Sequence, residues 1–254
     1  MNKAVVVFSG GQDSTTCLGI ALHLGFEVEA IAFNYGQRHA VELQQAQKIC
    51  DLLKVPLKIV DITEFGKLVA RATALVGKGE VSDASPLAQM VNVPASFVPN
   101  RNAVMLTIAH GYAQMIGAQM LYTGVCQTDY SGYPDCRHQF IVSLESALNI
   151  GYNSNIHIAT PLMHLTKGET FKLAAEVGIL DMVINESHTC YEGIREQMEY
   201  DDSGSPCGVS DSKHAWGHGC GECPACKLRA KGWADYKAMV HIAEGNPQEP
   251  RTQG

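Results

Sequence analysis

The chain has 254 residues, of which 46% are hydrophobic and 18% charged, and its formal net charge is −7. This composition is typical of one large domain, or of one domain with a small appendage, and it excludes a globally disordered chain. The acidic balance excludes a protein that coats nucleic acid through bulk positive charge, and no apolar run reaches the ~20 residues of a membrane span. The N-terminus lacks the basic region and cleavage site of a signal peptide, so we expect a cytoplasmic protein with neither nucleic acid nor membrane as a partner.

Strand and helix patterns alternate along the N-terminal part of the chain. Lys3–Phe8 is an apolar, β-branched run, which is typical of a strand buried on both faces. Four further elements follow it: a helix at Ser14–Leu24, a strand at Glu27–Tyr35, a helix at His39–Leu53 and a strand at Pro56–Asp61. This order predicts an α/β fold with a doubly wound, mainly parallel sheet and helices on both faces.

The rest of the chain continues with less regular spacing. The patterns predict strands at Ala118–Val125 and His157–Pro161, and helices at Asn102–Ile116, Arg137–Asn149, Lys167–Val177 and Lys227–Val240. Two segments show neither pattern. Gly77–Ser96 is predicted to be a long loop, and the polar segment Arg195–His218 an insertion or mobile loop.

The string SGGQDS, Ser9–Ser14, stands between the first strand and the first helix. A glycine-rich turn there directs backbone N–H groups to one spot, the helix dipole adds positive potential, and the hydroxyls add donors, which predicts a phosphate-binding loop. It is neither a Walker loop nor a GxGxxG loop. An ordinary capped strand–helix turn is the alternative. Asp13 can bind Mg²⁺ or cap the helix, and the loop alone leaves both roles open.

The chain has nine cysteines, and three of them form the closely spaced run CGECPAC. The odd count and the missing signal favour reduced thiols over disulfides. Cys220, Cys223 and Cys226 can wrap a tetrahedral metal from one turn, which indicates structural Zn²⁺, with an iron–sulfur cluster as the chemical alternative. For the fourth ligand, Cys190 competes with residues nearer in sequence: Cys207, His214 and His218.

Cysteine spacing and composition together suggest a division of the chain. We expect a nucleotide-binding α/β domain over residues 1–180. A C-terminal helical and zinc-binding region would follow over residues 181–254, with the polar insertion at about 195–218.

Several polar residues follow predicted strands or begin predicted helices. Arg101, in FVPNRNAVM, can pair with a phosphate or carboxylate, and Lys167, in TPLMHLTKGE, can reach a phosphate or an adenylate. For both, a plain helix start is the alternative. NYGQRHAVE, Asn34–Glu42, follows the second strand, where an adenosine ribose or base often lies in nucleotide folds.

The segment TGVCQTDYSGYPDCR, Thr123–Arg137, begins at the carboxyl end of a strand, where open α/β sheets bind ligands. Tyrosine rings can stack on a flat heterocycle, and a carboxylate can bond to its amidine edge. We predict substrate contacts from five residues of this segment: Asp129, Tyr130, Tyr133, Asp135 and Arg137. A well-ordered surface loop is the alternative.

These motifs resemble a known family. SGGQDS resembles the PP-loop of the ATP pyrophosphatases, which split ATP into AMP and pyrophosphate. From residue 3 to about residue 240, the chain resembles the 7-cyano-7-deazaguanine synthases. The matching strings are SGGQDS, NYGQRH, VPNRN, TGV, DYSGYPDCR, TPLM with Lys167, TCY at Thr189–Tyr191, and the closing cysteine run. One departure is the segment Arg195–His218, because the family joins TCY to its cysteine run by a short loop.

The resemblance implies a fold, an activity and partners. The fold would be of the PP-loop, adenine nucleotide α-hydrolase-like type. The enzyme would be a ligase that forms carbon–nitrogen bonds and converts 7-carboxy-7-deazaguanine, ammonia and ATP into 7-cyano-7-deazaguanine for queuosine synthesis. It would pass through an adenylated carboxylate, an amide and an adenylated amide. It would use Mg²⁺ with ATP, contain one structural Zn²⁺ per chain, and form a homodimer.

The resemblance also implies site residues. Catalytic roles fall on Arg101, Asp129 and Lys167, and Cys190 becomes the expected fourth metal ligand beside Cys220, Cys223 and Cys226. The ATP-binding residues would be Phe8, Ser9, Gly10, Gly11, Gln12, Asp13, Ser14, Thr15, Thr16, Cys17 and Leu18.

Two other functions are compatible with the motifs. Another PP-loop enzyme, such as a tRNA thiolase, would need a sulfur-carrying cysteine, for which Cys126 is a candidate, and a basic RNA-binding face, against which the net charge of −7 weighs. A zinc-dependent interaction module that senses nucleotide would bind ATP without turnover.

Overall fold

The computed structural model describes residues 2–37, 41–70, 73, 76, 93–94, 96–127, 133–200 and 206–243, with the backbone alone over 196–200 and 206–211. Its centre is a parallel sheet of five strands in the order β3-β2-β1-β4-β5. The strands are β1 (Lys3–Val7), β2 (Glu27–Asn34), β3 (Leu57–Asp61), β4 (Met120–Tyr122) and β5 (His157–Ala159).

The helices of the described part lie between and after these strands. They are α1 (Gln12–His23), α2 (Val41–Leu53), α3 (Thr63–Val69), α4 (Arg101–Ile116), α5 (His138–Tyr152), α6 (Lys167–Glu176), α7 (Leu180–Asn185) and α8 (Pro224–Ala243). A short 3₁₀ helix covers Pro134–Cys136. None of the helices in the described ranges is long and apolar enough to cross a membrane.

Alternating side chains of the strands enter two separate cores. Val5 and Leu121 pack with α4 and α5 in one cluster, whereas Ala4 and Val6 pack with α1 and α2 in another. Successive residues of a strand point to opposite faces, so these clusters lie on the two sides of the sheet. The predicted fold class, a parallel sheet with helices on both faces, is confirmed.

The strand order reverses between β1 and β4. From β1 the chain moves to β2 and β3 on one side of the sheet, and then returns to β4 and β5 on the other. The loops that leave β1 and β4 therefore diverge at their carboxyl ends, and this opens a crevice. The strand predicted over Ala118–Val125 is shorter in the structure, and the residues after β4 form part of the crevice.

A third core joins the C-terminal region to the sheet domain. It contains Phe171 and Ala174 of α6 together with Trp216 and the buried cysteines of the C-terminal region. Helix α8 crosses α6 closely, since a Cβ on Gly232 would lie 2.4 Å from the Cβ of Lys167. Residues on both sides of the predicted boundary at residue 180 thus share one core.

The polar insertion is not the loop that its composition suggested. β6 (Glu196–Tyr200) pairs antiparallel with β7 (Pro206–Asp211), so of the two predicted alternatives the mobile loop is wrong, and the insertion stays a prediction. The alternating sequence EQMEY, followed by the turn-forming residues 201–205, is compatible with a hairpin. A second small pair, β8 (Lys213–His214) and β9 (Gly217–His218), follows it. The predicted loop Gly77–Ser96 lies outside the described residues except for 93, 94 and 96.

Candidate functional site

A cavity of about 350 Å³ lies at the carboxyl ends of β1 and β4, where the strand order reverses. Its walls come from the loops after both strands, the first turns of α2, α4 and α6, and residues 188–191. Crevices at this position of open α/β sheets bind ligands, and the size is within the range of small-molecule sites. The fold therefore brings the predicted motifs, which are far apart in sequence, to one space.

The loop after β1 has the geometry of an anion site. Gly10 has a φ of +77°, and a Cβ on it would lie 2.7 Å from the backbone N of Ala46, so only glycine fits there. The loop leads directly into α1, whose N-terminus faces the cavity. The hydroxyls of Ser9 and Ser14 lie 3.1 Å apart beside it. Helix N–H groups and two hydroxyls thus surround a place suited to a phosphate.

The predicted ATP-binding residues divide into two groups. The cavity is lined by Phe8, Ser9, Gly11, Gln12, Asp13 and Ser14, with Gly10 behind them. The next turn of α1 does not line it. The hydroxyls of Thr15 and Thr16 donate to backbone carbonyls of the preceding turn at 2.8 and 3.0 Å, and Cys17 and Leu18 are fully buried in the core. These four residues anchor the loop.

Polar atoms without partners mark the loop as a place for a ligand. Within the described part of the chain, both side-chain amide atoms of Gln12 and the Oδ1 of Asp13 are buried without a hydrogen-bond partner. About nine in ten buried polar groups in proteins have a partner, so unpartnered atoms side by side at the cavity wall are available to contact a ligand. The carboxylate oxygen of Asp13 also has the chemistry that Mg²⁺ prefers.

Lys167 projects toward the loop from the first turn of α6. Its Nζ lies 2.6 Å from Asp13 Oδ2, and its side chain is 10% exposed. The helix begins there because Thr166 and Glu169 form a reciprocal capping box. Lys167 lines the cavity, so a mostly buried positive charge stands beside the predicted phosphate site.

Arg101 occupies the opposite wall, between two aromatic rings. Its Cζ lies 6.0 Å from the ring centroids of both Tyr35 and Tyr133, a distance at which a cation is attracted to a ring face. The residue begins α4 directly after Asn100, which has a left-handed φ of 58°. The wall is therefore positively charged, planar and partly aromatic, which suits a flat anionic heterocycle.

The predicted substrate-binding residues are only partly described. Tyr133 lines the cavity and its hydroxyl lies 2.6 Å from Ser96 Oγ. Asp135 lies behind the wall, where its Oδ2 accepts a hydrogen bond from the backbone N–H of Asn102 at 3.1 Å and burial raises its pKa. Arg137 is exposed at the start of α5 and does not line the cavity.

The other two residues predicted in this loop, Asp129 and Tyr130, lie outside the described residues. Their roles stay predictions. Because Arg101 lines the cavity and Arg137 does not, Arg101 is the better placed of the two to meet an anionic substrate.

The four predicted metal ligands come together in one place. The Sγ atoms of Cys190, Cys220, Cys223 and Cys226 all lie within 4.8 Å of one another. A tetrahedral ion with metal–sulfur distances of about 2.3 Å requires sulfur atoms ~3.8 Å apart, and Cys220 and Cys226 are separated by 3.8 Å. The donor set therefore fits a closed four-thiolate metal centre.

Backbone donors support this cluster as they do in metal–thiolate sites. The Sγ of Cys220 accepts from the N–H groups of Glu222 and Cys223 at 3.4 and 3.2 Å, and the Sγ of Cys190 accepts from the N–H of Cys220 at 3.5 Å. Such bonds orient thiolates and lower their charge density.

The competing ligands have other partners. His214 Nε2 lies 3.0 Å from the carbonyl of Gly219, and its ring stacks on Trp216 at 4.4 Å. His218 Nε2 lies 3.1 Å from the carbonyl of Asn185. The side chain of Cys207 is outside the described part of the chain. Cys190 is thus the fourth member of the cluster, as the resemblance implied.

The cysteine cluster is tied to the loop at Ser9–Ser14 by two residues to which the sequence analysis gave no role. His188 donates its N–H to the carbonyl of Gly10 at 2.9 Å, and Thr189 Oγ1 accepts from the N–H of Gln12 at 3.4 Å. Both directly precede Cys190. The loop and the cysteine cluster are therefore separated by a single short stretch of backbone.

Arg229 reinforces this connection from α8. It is 1% exposed, and it donates to Thr189 Oγ1 at 3.0 Å and to the carbonyls of Trp216 and Val183 at 2.9 and 2.7 Å. Burial lowers its pKa to about 10, against the opposing effect of Asp13. Because its hydrogen-bonded partners are all neutral, its charge adds to the positive potential at the loop.

Glu42 is a further cavity residue to which no role was assigned beforehand. It lies in the first turn of α2, and burial raises the pKa of its carboxyl to about 7, although the charge of Arg101 acts in the opposite direction. The sequence placed it in the motif after the second strand. That motif did not show whether Glu42 is a cavity residue or one of the acidic residues that commonly occupy the first turn of a helix.

The chain is similar to proteins of known name and to solved structures. The chain is 48% identical over 239 residues to the 7-cyano-7-deazaguanine synthase of Wolinella succinogenes, covering 94% of this chain and 95% of that protein. The enzyme of the same name from Caulobacter vibrioides is 39% identical over 246 residues, covering 92% and 93%. Among solved structures, a predicted tRNA methyltransferase subunit from Methanocaldococcus jannaschii aligns at 22% identity and a TM-score of 0.47, over 69% of this chain and 75% of that one.

A family model described as queuosine biosynthesis protein QueC matches residues 3–237. The match covers the loop at Ser9–Ser14, the residues that line the cavity and the four clustered cysteines. Together with the identity to the two synthases over nearly their whole lengths, it establishes that this chain belongs to the QueC family of queuosine biosynthesis proteins.

Proposed function

We propose that this chain converts 7-carboxy-7-deazaguanine and ammonia into 7-cyano-7-deazaguanine with the consumption of ATP. One observation carries the proposal: the phosphate loop, Lys167 and Arg101 line a single cavity at the ends of β1 and β4. A phosphate-binding side and a positively charged aromatic side are what an enzyme needs to join ATP to a flat carboxylate.

The reaction proceeds in two similar halves. The carboxylate of the substrate attacks the α-phosphorus of ATP, pyrophosphate leaves, and ammonia displaces AMP from the acyl carbon to give the amide. The amide oxygen then attacks the α-phosphorus of a second ATP, pyrophosphate leaves, and loss of AMP and both N–H protons leaves the nitrile. Carboxylate, amide and nitrile share one oxidation level, so the conversion balances without a redox cofactor.

The described side chains suit particular parts of this sequence. The loop and Lys167 hold the phosphates of ATP and stabilise the charge that develops on the leaving pyrophosphate. Asp13, whose Oδ1 is buried without a partner in the described part of the chain, is placed to hold Mg²⁺. Arg101 pairs with the substrate carboxylate between Tyr35 and Tyr133, and Asp129 and Tyr130 complete the recognition of the base.

The cysteine cluster would hold one structural Zn²⁺ per chain. Its four thiolates leave no open coordination position, so the metal has no part in the chemistry. Its role is to fix residues 188–190 against the loop. Free ammonia as the nitrogen source, a homodimeric assembly and a cytoplasmic location remain predictions.

Mass spectrometry of the products tests the proposal. Incubation with ATP, Mg²⁺, an ammonium salt and the carboxydeazaguanine should give the amide first and the nitrile later, with one AMP and one pyrophosphate formed for each step. Pyrophosphate release that depends on tRNA and a sulfur donor instead would favour a thiolase. ATP binding without substrate-dependent pyrophosphate would favour a nucleotide-sensing module.

Cys126, the candidate sulfur carrier of a thiolase, lines the cavity but is only 7% exposed, and its thiol donates a hydrogen bond to the carbonyl of Leu165 at 3.1 Å. Because a sulfur carrier must present its sulfur to a donor protein, this low exposure favours the ligase over a thiolase.

A further inference from the structure

Both halves of the proposed reaction need a proton acceptor, and no residue assigned so far supplies one. At neutral pH ammonia is mostly ammonium, which has no lone pair to attack an acyl adenylate. In the second half, the adenylated amide must lose both of its N–H protons for AMP to leave and the nitrile to form. In both steps the proton comes from a nitrogen attached to, or about to attack, the same carbon, so one base at one position can serve both.

Glu42 has the position that such a base requires. It lines the same cavity as the phosphate loop and Arg101. Helix α2 packs directly on the loop, since a Cβ on Gly10 would lie 2.9 Å from the backbone carbonyl oxygen of Glu42. Glu42 therefore lies between the loop, which its helix contacts, and Arg101, whose charge acts on its carboxyl group.

The surroundings of Glu42 leave its carboxylate available for chemistry. Within the described ranges, its carboxylate makes neither a hydrogen bond nor an ion pair. Among the described residues, the charged and titratable groups that act on it are Arg101 of α4 and Tyr35, directly after β2. Burial outweighs the attraction of Arg101, so the pKa of Glu42 is raised to about 7, which is close to the optimum for a base that works at neutral pH.

We propose that the Glu42 carboxylate is the catalytic base that accepts a proton from nitrogen in both halves of the reaction. In the first half, ammonium transfers a proton to Glu42, and the ammonia so formed makes the C–N bond to the acyl carbon. After Glu42 has passed that proton to solvent, it accepts a second one from the same nitrogen, and the C–O bond to AMP breaks to leave the amide. In the second half, the nitrogen of the adenylated amide loses its two protons to Glu42 one after the other. The electron pair of the second N–H bond forms the third C–N bond as the C–O bond to AMP breaks. Glu42 returns each proton to solvent before it accepts the next. This inference rests on the proposed function.

The test separates the steps that need a base from the step that does not. Wild type, Glu42→Gln and the control Glu64→Gln, whose side chain is 82% exposed on α3, are compared. Exchange of labelled pyrophosphate into ATP, dependent on the carboxydeazaguanine and without ammonium, measures adenylation alone. Amide formation from ammonium measures the first step that uses the base. In a third assay, hydroxylamine replaces ammonium and the hydroxamate formed is measured. Hydroxylamine is largely unprotonated at neutral pH, so it can attack without first losing a proton to a base.

Glu42→Gln should keep pyrophosphate exchange and hydroxamate formation within about threefold of wild type, while kcat/KM for ammonium falls by at least about 100-fold. Glu64→Gln should match wild type in all three assays. Amide formation from ammonium at the wild-type rate in Glu42→Gln would overturn the proposal. An equal loss of exchange and amide formation, with a raised KM for ATP, would also overturn it and would assign Glu42 to binding of the nucleotide.

The pH dependence gives a second readout. At fixed total ammonium, amide formation by wild type should rise through about pH 7 and then level off, because Glu42 must be ionised to accept a proton. In Glu42→Gln it should instead rise steadily in proportion to free ammonia. Identical profiles would count against Glu42 as the base. Absence of substrate-dependent exchange in wild type would show that the proposed function itself is wrong, and this inference would fall with it.

Discussion

The ammonium group of Lys167 and the carboxylate of Asp13 lie 2.6 Å apart, which joins the N-terminus of α6 to the N-terminus of α1. The side chains are 10% and 27% exposed, so solvent screens the pair less than it would a surface salt bridge. The contact holds the lysine beside the loop in advance of any ligand. A positive charge positioned in this way stabilises developing phosphate charge without reorganisation during the reaction.

The first prediction concerns this lysine. Lys167→Met removes the charge and keeps most of the side-chain volume, so kcat/KM for ATP should fall by about 10²–10³-fold, as when one preorganised electrostatic group is lost. Substrate-dependent pyrophosphate release measures the effect. Lys172→Met is the matched control, because Lys172 belongs to the same helix and is 58% exposed. Equal activity of the two variants would contradict a role for Lys167 at the phosphates.

A second prediction tests the loop. Gly11 lines the cavity, and a Cβ there would already lie 3.4 Å from both the carbonyl of His188 and Ser9 Oγ. Gly11→Val adds two further methyl groups, which should block the approach of phosphate to the backbone and abolish ATP turnover with the fold retained. Gly111→Val, at a position of α4 where a Cβ meets no atom within 4 Å, should remain active. Normal turnover in Gly11→Val would exclude the loop as the phosphate site.

The third prediction concerns the cysteine cluster. Elemental analysis of the purified protein should give about one zinc per chain, as expected for a closed four-thiolate site. Cys220→Ser and Cys190→Ser should each lower the zinc content and the solubility, whereas Cys50→Ser, in the core beneath the sheet, should retain the metal. Iron in place of zinc, or full zinc occupancy in Cys190→Ser, would refute the assignment.

A fourth prediction follows from the raised pKa of Glu42. The unfolded chain releases this proton near pH 4.5 and the folded protein near pH 7, so the wild type loses stability as the pH rises between these values. Glu42→Gln avoids this loss and should be more stable than wild type by about 1–3 kcal/mol at pH 8, with a much smaller difference at pH 5. Urea unfolding with saturating zinc measures both. A gain of equal size at both pH values in Glu42→Gln would contradict the shifted pKa of this carboxyl group.

Local sequence patterns were sufficient to predict most of the sheet and its helices. The β-branched run at Lys3–Val7 is typical of a strand buried on both faces. The glycines of the loop at Ser9–Ser14 indicate a turn, because glycine readily adopts left-handed φ angles. The helices α3 and α7 were not predicted, since seven or fewer residues give too short a periodic signal. The hairpin β6–β7 was also not predicted, because its composition is polar.

The sequence predicted only those site residues whose own local motif indicates their chemistry. Lys167 and the cysteine run were found in this way. Thr189 and Arg229 were not, because their importance arises from contacts between segments that only the tertiary structure brings together. Glu42 was not predicted for a related reason. Its raised pKa comes from burial beside Arg101, and burial cannot be read from a single sequence.

The link between residues 188–190 and the phosphate loop has a consequence for how the protein acquires its activity. The hydrogen bond from Gln12 to Thr189 joins positions 177 residues apart, so this contact closes one of the longest loops available to the chain. During synthesis the loop therefore emerges long before the residues that hold it. In refolding experiments with zinc withheld, we expect far-ultraviolet circular dichroism to recover first and ATP binding to return only after zinc is added.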